Sequence, residues 1–262
     1  MSMLDVDHIN IAYKNKPTVT DFSMHIEKGQ IYSIVGESGS GKTTVIRAIF
    51  GMLPGGGKVT GGSIVFEGES LLTFSRERWR LFRGKDISMI FQDSGAMMNP
   101  TKRVGSAFIE YIRTHEAVSK EEAFRKGVMM LERMRLPSGE NIMRSYPFQL
   151  SGGMRQRVGI AMGMTYEPKL LLADEPTSAL DVTTQAQIVR QMMELRENYG
   201  TSLIVVTHNL GVAAYMSDHI IVMKDGKIED EGDRDYILYH SGNAYTHKLL
   251  EAVPSIGGRR FV

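Results

Sequence analysis

The run Gly36-Glu-Ser-Gly-Ser-Gly-Lys-Thr-Thr44 constrains this chain more than any other feature. It has the order of a phosphate-binding loop: glycine, a short spacer, then glycine, lysine and threonine. Ile31–Val35 ahead of it is a short apolar strand. Val45, Ile46, Ile49 and Phe50 behind it recur at helical spacing. Gly36, Gly39 and Gly41, with Glu37, Ser38 and Ser40 between them, let the backbone curl until several N–H groups point inward. Those amides and the positive end of the following helix attract phosphate oxygens. Lys42 is placed to reach β- and γ-phosphates, the Thr43 hydroxyl to ligate Mg²⁺, and Thr44 continues into the helix. A glycine-rich turn with a chance lysine is the plain alternative, and it leaves the flanking strand and helix unexplained.

Other strands end on chemistry-bearing residues. Lys169-Leu-Leu-Leu-Ala-Asp-Glu175 puts two carboxylates after an apolar strand, where ligand groups gather in open α/β sheets. Asp174 suits Mg²⁺, directly or through water. Glu175 is a candidate general base that polarises a water. His208 follows the strand at 202–207, and Gln92 follows the strand at 87–91. A γ-phosphate contact fits His208, as does a satisfied surface or core histidine. Gln92 suits a water or a metal-bound water, and an ordinary polar role fits it too. The conjunction of these strand ends says more than any member.

Composition narrows the classes. A chain of 262 residues makes one large domain or two small ones with a real core. Lys plus Arg number 31 against 30 Asp plus Glu, so no basic excess points to nucleic acid. The absence of cysteine excludes disulfides, thiolate nucleophiles and cysteine-ligated clusters. Residues 1–7 lack a basic stretch followed by an apolar run, so no signal peptide is expected. Apolar runs reach only about five residues, against the roughly 20 that span a bilayer. The 18 methionines read as adaptable core filler.

Along the chain, Leu4, Val6 and His8 alternate with Asp5 and Asp7, and 9–13 and 19–26 extend an N-terminal β region. The glycine-rich stretch 53–62 reads as a turn before a strand at 63–66. Strand signals fade after residue 94. Ser119-Lys-Glu-Glu122 is a capping box, and 94–162 reads as mostly helical. Strands return at 170–173, 202–207 and 219–223, with a helix at 184–199 and a hairpin turn at Asp225-Gly226. Short helices follow over 236–253, and 257–261 reads as a frayed tail. The fold class is α/β: a phosphate-loop core with a mixed sheet, an N-terminal antiparallel β-subdomain and an inserted helical subdomain. The core takes 1–93 and 163–235, the insertion 94–162 and a helical tail 236–262.

Leu150-Ser-Gly-Gly-Met-Arg-Gln-Arg157 gives the pattern a family. The chain resembles the ATP-binding-cassette ATPases that power transporters. Their signature ends in glutamine where this chain has Met154, which offers only a weak acceptor. The resemblance implies that ATP and Mg²⁺ bind residues 36–44. It makes Gln92 the Q-loop glutamine, Asp174 the end of Walker B and Glu175 the catalytic glutamate. Ser178-Ala-Leu-Asp181 resembles the D-loop, His208 the switch histidine, and Tyr13 the aromatic residue that stacks on adenine. It further implies a second such ATPase subunit, with two ATP molecules sandwiched head to tail. Ser151, Gly152 and Gly153 of one subunit would meet the γ-phosphate held by the other.

Segments around residues 34–42, 145–154, 181–187, 209–214 and 244–254 resemble the dipeptide, oligopeptide and nickel importers. The resemblance implies a peripheral subunit on the cytoplasmic membrane face, with a heterodimer favoured over a homodimer. It also implies two integral membrane permease subunits and, through them, an extracytoplasmic solute-binding protein. Peptide members commonly continue into a cysteine-containing extension. This chain stops soon after Pro254 without cysteine, which is more like the nickel and metallophore systems. Two other readings are a soluble cassette ATPase of repair, iron–sulfur assembly or translation, and a non-hydrolytic regulatory partner. The chain lacks the long coiled coil of the repair members and the second cassette of the translation members. Intact Lys42, Asp174, Glu175 and His208 argue against the non-hydrolytic partner.

Overall fold

The computed structural model describes residues 2–92, 94–178, 180–253, 255–256 and 259–260. Strands β1 (Leu4–Tyr13), β2 (Lys16–Ile26) and β3 (Ile31–Val35) lead into helix α1 (Lys42–Ile49). Strands β4 (Lys58–Phe66) and β5 (Glu69–Ser70) precede α2 (Arg76–Phe82) and β6 (Ile87–Ile90). Five helices follow: α3 (Ser94–Met97), α4 (Val104–His115), α5 (Lys120–Arg133), α6 (Gly139–Arg144) and α7 (Gly152–Gly163). Then come β7 (Leu170–Asp174), α8 (Val182–Tyr199), β8 (Ser202–Thr207) and α9 (Leu210–Met216). Strands β9 (His219–Lys224) and β10 (Lys227–Asp233), a π turn at Tyr236–His240 and α10 (Ala244–Glu251) complete these elements. No helix among the described residues is long and apolar enough to cross a membrane.

The chain divides into two compact units, residues 1–80 with 195–262, and residues 81–194. The first unit holds the antiparallel sheet β2-β1-β4-β5. It also holds the parallel trio β8, β3 and β9, with β10 antiparallel on β9. Every residue of β3 and β8 is buried, as expected of parallel strands covered on both faces. Asp218 pins the start of β3: its carboxylate accepts from the Ile31 N–H at 2.8 Å and pairs with Arg196 at 3.0 Å. Val35, at the other end of β3, packs with Leu210, Ala213, Val222, Ile237, Tyr245 and Leu250.

In the second unit β6 and β7 pair in parallel. The helices close their own core, with Phe108, Ile112, Met130, Leu131, Ile142 and Met143 buried. α5 starts at the expected capping box. The Ser119 hydroxyl accepts from the Glu122 N–H, and the Glu122 carboxylate accepts from the Ser119 N–H.

Two expectations need correction. His8 does not share the buried face of Leu4 and Val6. The pairing of β1 with β2 shifts register between Val6 and Ile9, His8 lies at φ 48°, and its side chain is exposed beside Asp21. An extra residue at a bulge inverts the alternation, and Ile9 resumes the core face. The stretch 53–62 is not all turn, because β4 begins at Lys58. Gly61 and Gly62 lie inside that strand, opposite the irregularity of β1 between Asp7 and Asn10. Pairing with a bulged neighbour overrides their turn preference. The tail read at 257–261 falls largely outside the described residues.

Candidate functional site

In the first unit, β3 delivers the chain to Gly36. A side-chain carbon at that position would overlap the carbonyl oxygen of Met223 on β9, so only glycine fits the loop so close to the sheet. The loop turns on itself where the Ser40 N–H meets the Glu37 carbonyl at 3.2 Å. It enters α1 through Gly41, whose φ of 101° is a glycine conformation. No side chain caps α1 and its first turn carries no acid. First-turn N–H groups have no acceptor within their own helix, so this end is electropositive.

Lys42 is 5% exposed. Its ammonium donates to the carbonyls of Gly36 and Glu37, each at 2.8 Å. The lysine therefore folds back over the arch of the loop. An arriving phosphate competes with these carbonyls for its protons, and a charge-assisted bond to an anion is the stronger one. Glu37, Ser38 and Gly39 are exposed, Ser40 is buried, and Thr43 and Thr44 are half-buried on the first turn of α1. Tyr13, at the end of β1, is half-buried with its ring laid against Gly57. His208 follows β8 directly and is exposed, while Asn209 behind it caps α9.

The second unit carries the remaining candidates. Gln92 lies two residues beyond β6 and is exposed. Asp174 closes β7 at 3% exposure. Glu175 is half-buried and sits at φ 47°, an uncommon conformation for a residue with a side chain. The chain turns there, with the Ser178 N–H donating to the Glu175 carbonyl at 3.1 Å.

Ser151 caps α7, its hydroxyl accepting from the Met154 N–H at 3.3 Å. Gly153 runs close to Thr184 of α8: a side-chain carbon there would come within 2.6 Å of the Thr184 methyl. Ser151 and Gly152 are exposed, and Met154 is half-buried in the first turn. Asp181 accepts from both the N–H and the hydroxyl of Thr184, at 2.9 and 2.7 Å, and so caps α8. The Thr184 hydroxyl, then its N–H, hold the Asp181 carboxyl below its ordinary range.

Sequence reasoning missed two contacts to the loop. The Glu37 N–H donates to the Tyr245 hydroxyl at 3.1 Å, and the Gly226 N–H donates to the Ser40 carbonyl at 3.1 Å. Both residues lie far along the chain, and no periodicity marks them. The nearest signal was the Asp225-Gly226 turn itself, which positions β9 and β10 without revealing what the turn touches.

Residues 19–178 match the family described as ABC transporter. The chain is 42% identical over 259 residues to the oligopeptide transport ATP-binding protein OppD of Bacillus subtilis, covering 97% of this chain and 72% of that protein. It is 39% identical over 259 residues to the dipeptide transport ATP-binding protein DppD of Lactococcus lactis, covering 97% and 74%. Among solved structures, a dimeric post-hydrolysis state of the ATP-binding cassette MJ0796 bound to ADP and Pi aligns with a TM-score of 0.78. It is 29% identical, with 88% of this chain and 99% of that one covered.

Proposed function

The chain belongs to the ABC transporter family, and from that premise we propose that it hydrolyses ATP to drive peptides through a pair of integral membrane subunits. The likeness to oligopeptide and dipeptide transport ATP-binding proteins along nearly the whole chain carries this reading. The loop geometry supports it: an uncapped helix end, a lysine over a glycine arch and a strand that positions both. We place the work of the second unit in its strand ends and in the N-terminus of α7, with residues 94–162 as the inserted helical segment that docks on the membrane subunits.

The proposed roles follow from each group's chemistry. Backbone amides of residues 36–44 and Lys42 hold the β- and γ-phosphates, and Tyr13 stacks on adenine. Glu175 polarises the attacking water. Gln92 and His208 contact the γ-phosphate or its water. Ser151, Gly152 and Gly153, together with Asp181, serve the nucleotide of a second ATPase subunit, a heterodimeric partner being favoured. A solute-binding protein outside the membrane would deliver cargo to the membrane subunits, and this chain would sit peripherally on the cytoplasmic face.

For magnesium, the proposed ligands fit by donor chemistry alone. Thr43 and Asp174 offer hard oxygen atoms, with Gln92 as a further oxygen ligand. No cluster of three or more His, Cys, Asp or Glu that could hold a metal occurs among the described residues. Mg²⁺ is usually held by few protein groups together with substrate phosphates. When bound it would neutralise charge on the phosphate oxygens.

Reconstitution with the membrane subunits tests the whole reading. Peptide-loaded binding protein should raise ATP turnover. Stimulation by a nickel chelate and not by peptide would replace the cargo, and failure to associate with any membrane pair would remove the transport role. Glu175→Gln should bind ATP yet lose turnover by about 10²–10⁴-fold. Near-normal hydrolysis would reject Glu175 as the base.

A further inference from the structure

We propose that α10 is a positioning element for the phosphate loop, acting through Tyr245 and Lys248 on Glu37 and thereby on Lys42. This rests on reading residues 36–44 as the phosphate site. The key juxtaposition is on Glu37. Its N–H donates to the Tyr245 hydroxyl at 3.1 Å, and its carboxylate pairs with Lys248 at 3.3 Å. Its carbonyl is in turn one of the two that hold the Lys42 ammonium, at 2.8 Å. Where Tyr245 holds Glu37 therefore decides where Lys42 waits.

α10 is well anchored for this task. The Tyr245 ring is 8% exposed and packs in the same apolar cluster as Val35, the last residue before the loop. Lys224 lies over the ring at 5.0 Å from its centroid. The Asn243 side chain caps α10, accepting from the N–H groups of Tyr245 and Thr246 at 2.8 and 3.1 Å, and it donates to the Glu229 carbonyl at 2.9 Å. The fully buried Thr246 hydroxyl donates to Asp230 at 2.7 Å, and the Ser241 hydroxyl donates to the same carboxylate oxygen. The start of α10 is thus tied to β10 on several sides.

Contacts at Gly36, Glu37 and Ser40 hold the loop. Gly36 lies against Met223, and the Ser40 carbonyl accepts from the Gly226 N–H at 3.1 Å. Gly226 also accepts from the Thr20 N–H at 2.8 Å, which links the turn to β2. Both of these holds are backbone contacts. The hold on Glu37 comes from side chains, so substitution can tune it. A loop held in its binding shape needs little ordering when the ligand arrives. The N–H of Glu37 already faces Tyr245.

The test uses Tyr245→Phe, which keeps the packed ring and removes the acceptor, and Lys248→Gln, with Tyr239→Phe as an exposed control. In the full chain, Tyr245→Phe should weaken ATP binding by roughly 3–10-fold, the scale of one hydrogen bond. In the assembled transporter KM should rise to match while kcat stays within about twofold, because the chemical step lies elsewhere. Lys248→Gln should shift KM by about twofold or less, with the shift vanishing in high salt. In nucleotide-free protein, Tyr245→Phe should speed amide exchange across residues 37–41 without lowering the unfolding midpoint. An unchanged KM and unchanged exchange in Tyr245→Phe would overturn the proposal, as would a loss confined to kcat. Wild-type protein that bound no ATP would instead overturn the phosphate-site reading, and the exchange comparison would still decide the role of Tyr245.

Discussion

Helices α1 and α7 both have a small residue at the N-cap and no acid in the first turn, yet their N-termini are finished differently. α1 starts from Gly41, which offers no side-chain acceptor, so the acceptors for its first N–H groups must come from outside the helix. α7 starts from Ser151, whose hydroxyl already accepts from the Met154 N–H. At the first end the backbone lies against β9 and a lysine is folded over the loop. The second has one of its N–H groups capped by its own serine and, in the proposed function, meets phosphate only when another subunit presents it.

The comparison breaks most easily at Lys42. Lys42→Ala should lower ATP affinity by about 10²-fold, the scale of losing charge-assisted bonds to an anion. Titration with a fluorescent nucleotide measures this, and an affinity within twofold of wild type would mean that the grip of α1 does not depend on its lysine. Ser151→Ala sharpens the other side. Loss of a serine cap should cost about 1 kcal/mol of stability, read by urea unfolding, with ATP affinity of the isolated chain unchanged. Unaltered stability would show that Ser151 does not cap α7 in solution. Asp181 supplies the smallest effect. Its folded carboxyl titrates below the usual range, so its contribution is complete above the ordinary unfolded value, about 4, and is lost as pH falls through the lower folded value. Between about pH 5 and pH 3, wild type should therefore lose more stability than Asp181→Asn. Parallel losses would take the charge out of the α8 cap.

Legibility differed between these regions for physical reasons. Ile31–Val35 and Ser202–Thr207 are buried along their whole length, so unbroken apolar runs announced them, and their ends marked candidate residues. The phosphate loop was readable because its chemistry is local, with strand, glycines, lysine and helix in one short stretch. His8 and the first half of β4 were not readable, because a bulge is a property of two strands and not of one. α2 was missed as well. Its sequence, Arg-Glu-Arg-Trp-Arg-Leu-Phe, has no clean apolar stripe, and Trp79 packs where a side chain on Gly51 would otherwise stand. Tyr245 lies within the resembling segment 244–254, which carries no local sign of what its hydroxyl touches. Its contact with Glu37 joins residues 208 positions apart, beyond any local pattern.

That separation has a consequence for the order in which the molecule is made. β3 is flanked by β8 and β9, and the loop it launches is held by residues of β9, the following turn and α10. All of these leave the ribosome long after residue 44. At roughly 5–20 residues per second, the lysine and glycines wait about 10–40 s for the segments that hold them. A growing chain therefore displays the motif early and acquires its shape last. On the proposed reading, a ligand of that loop stabilises the completed chain by mass action and gives no such help to a partial one.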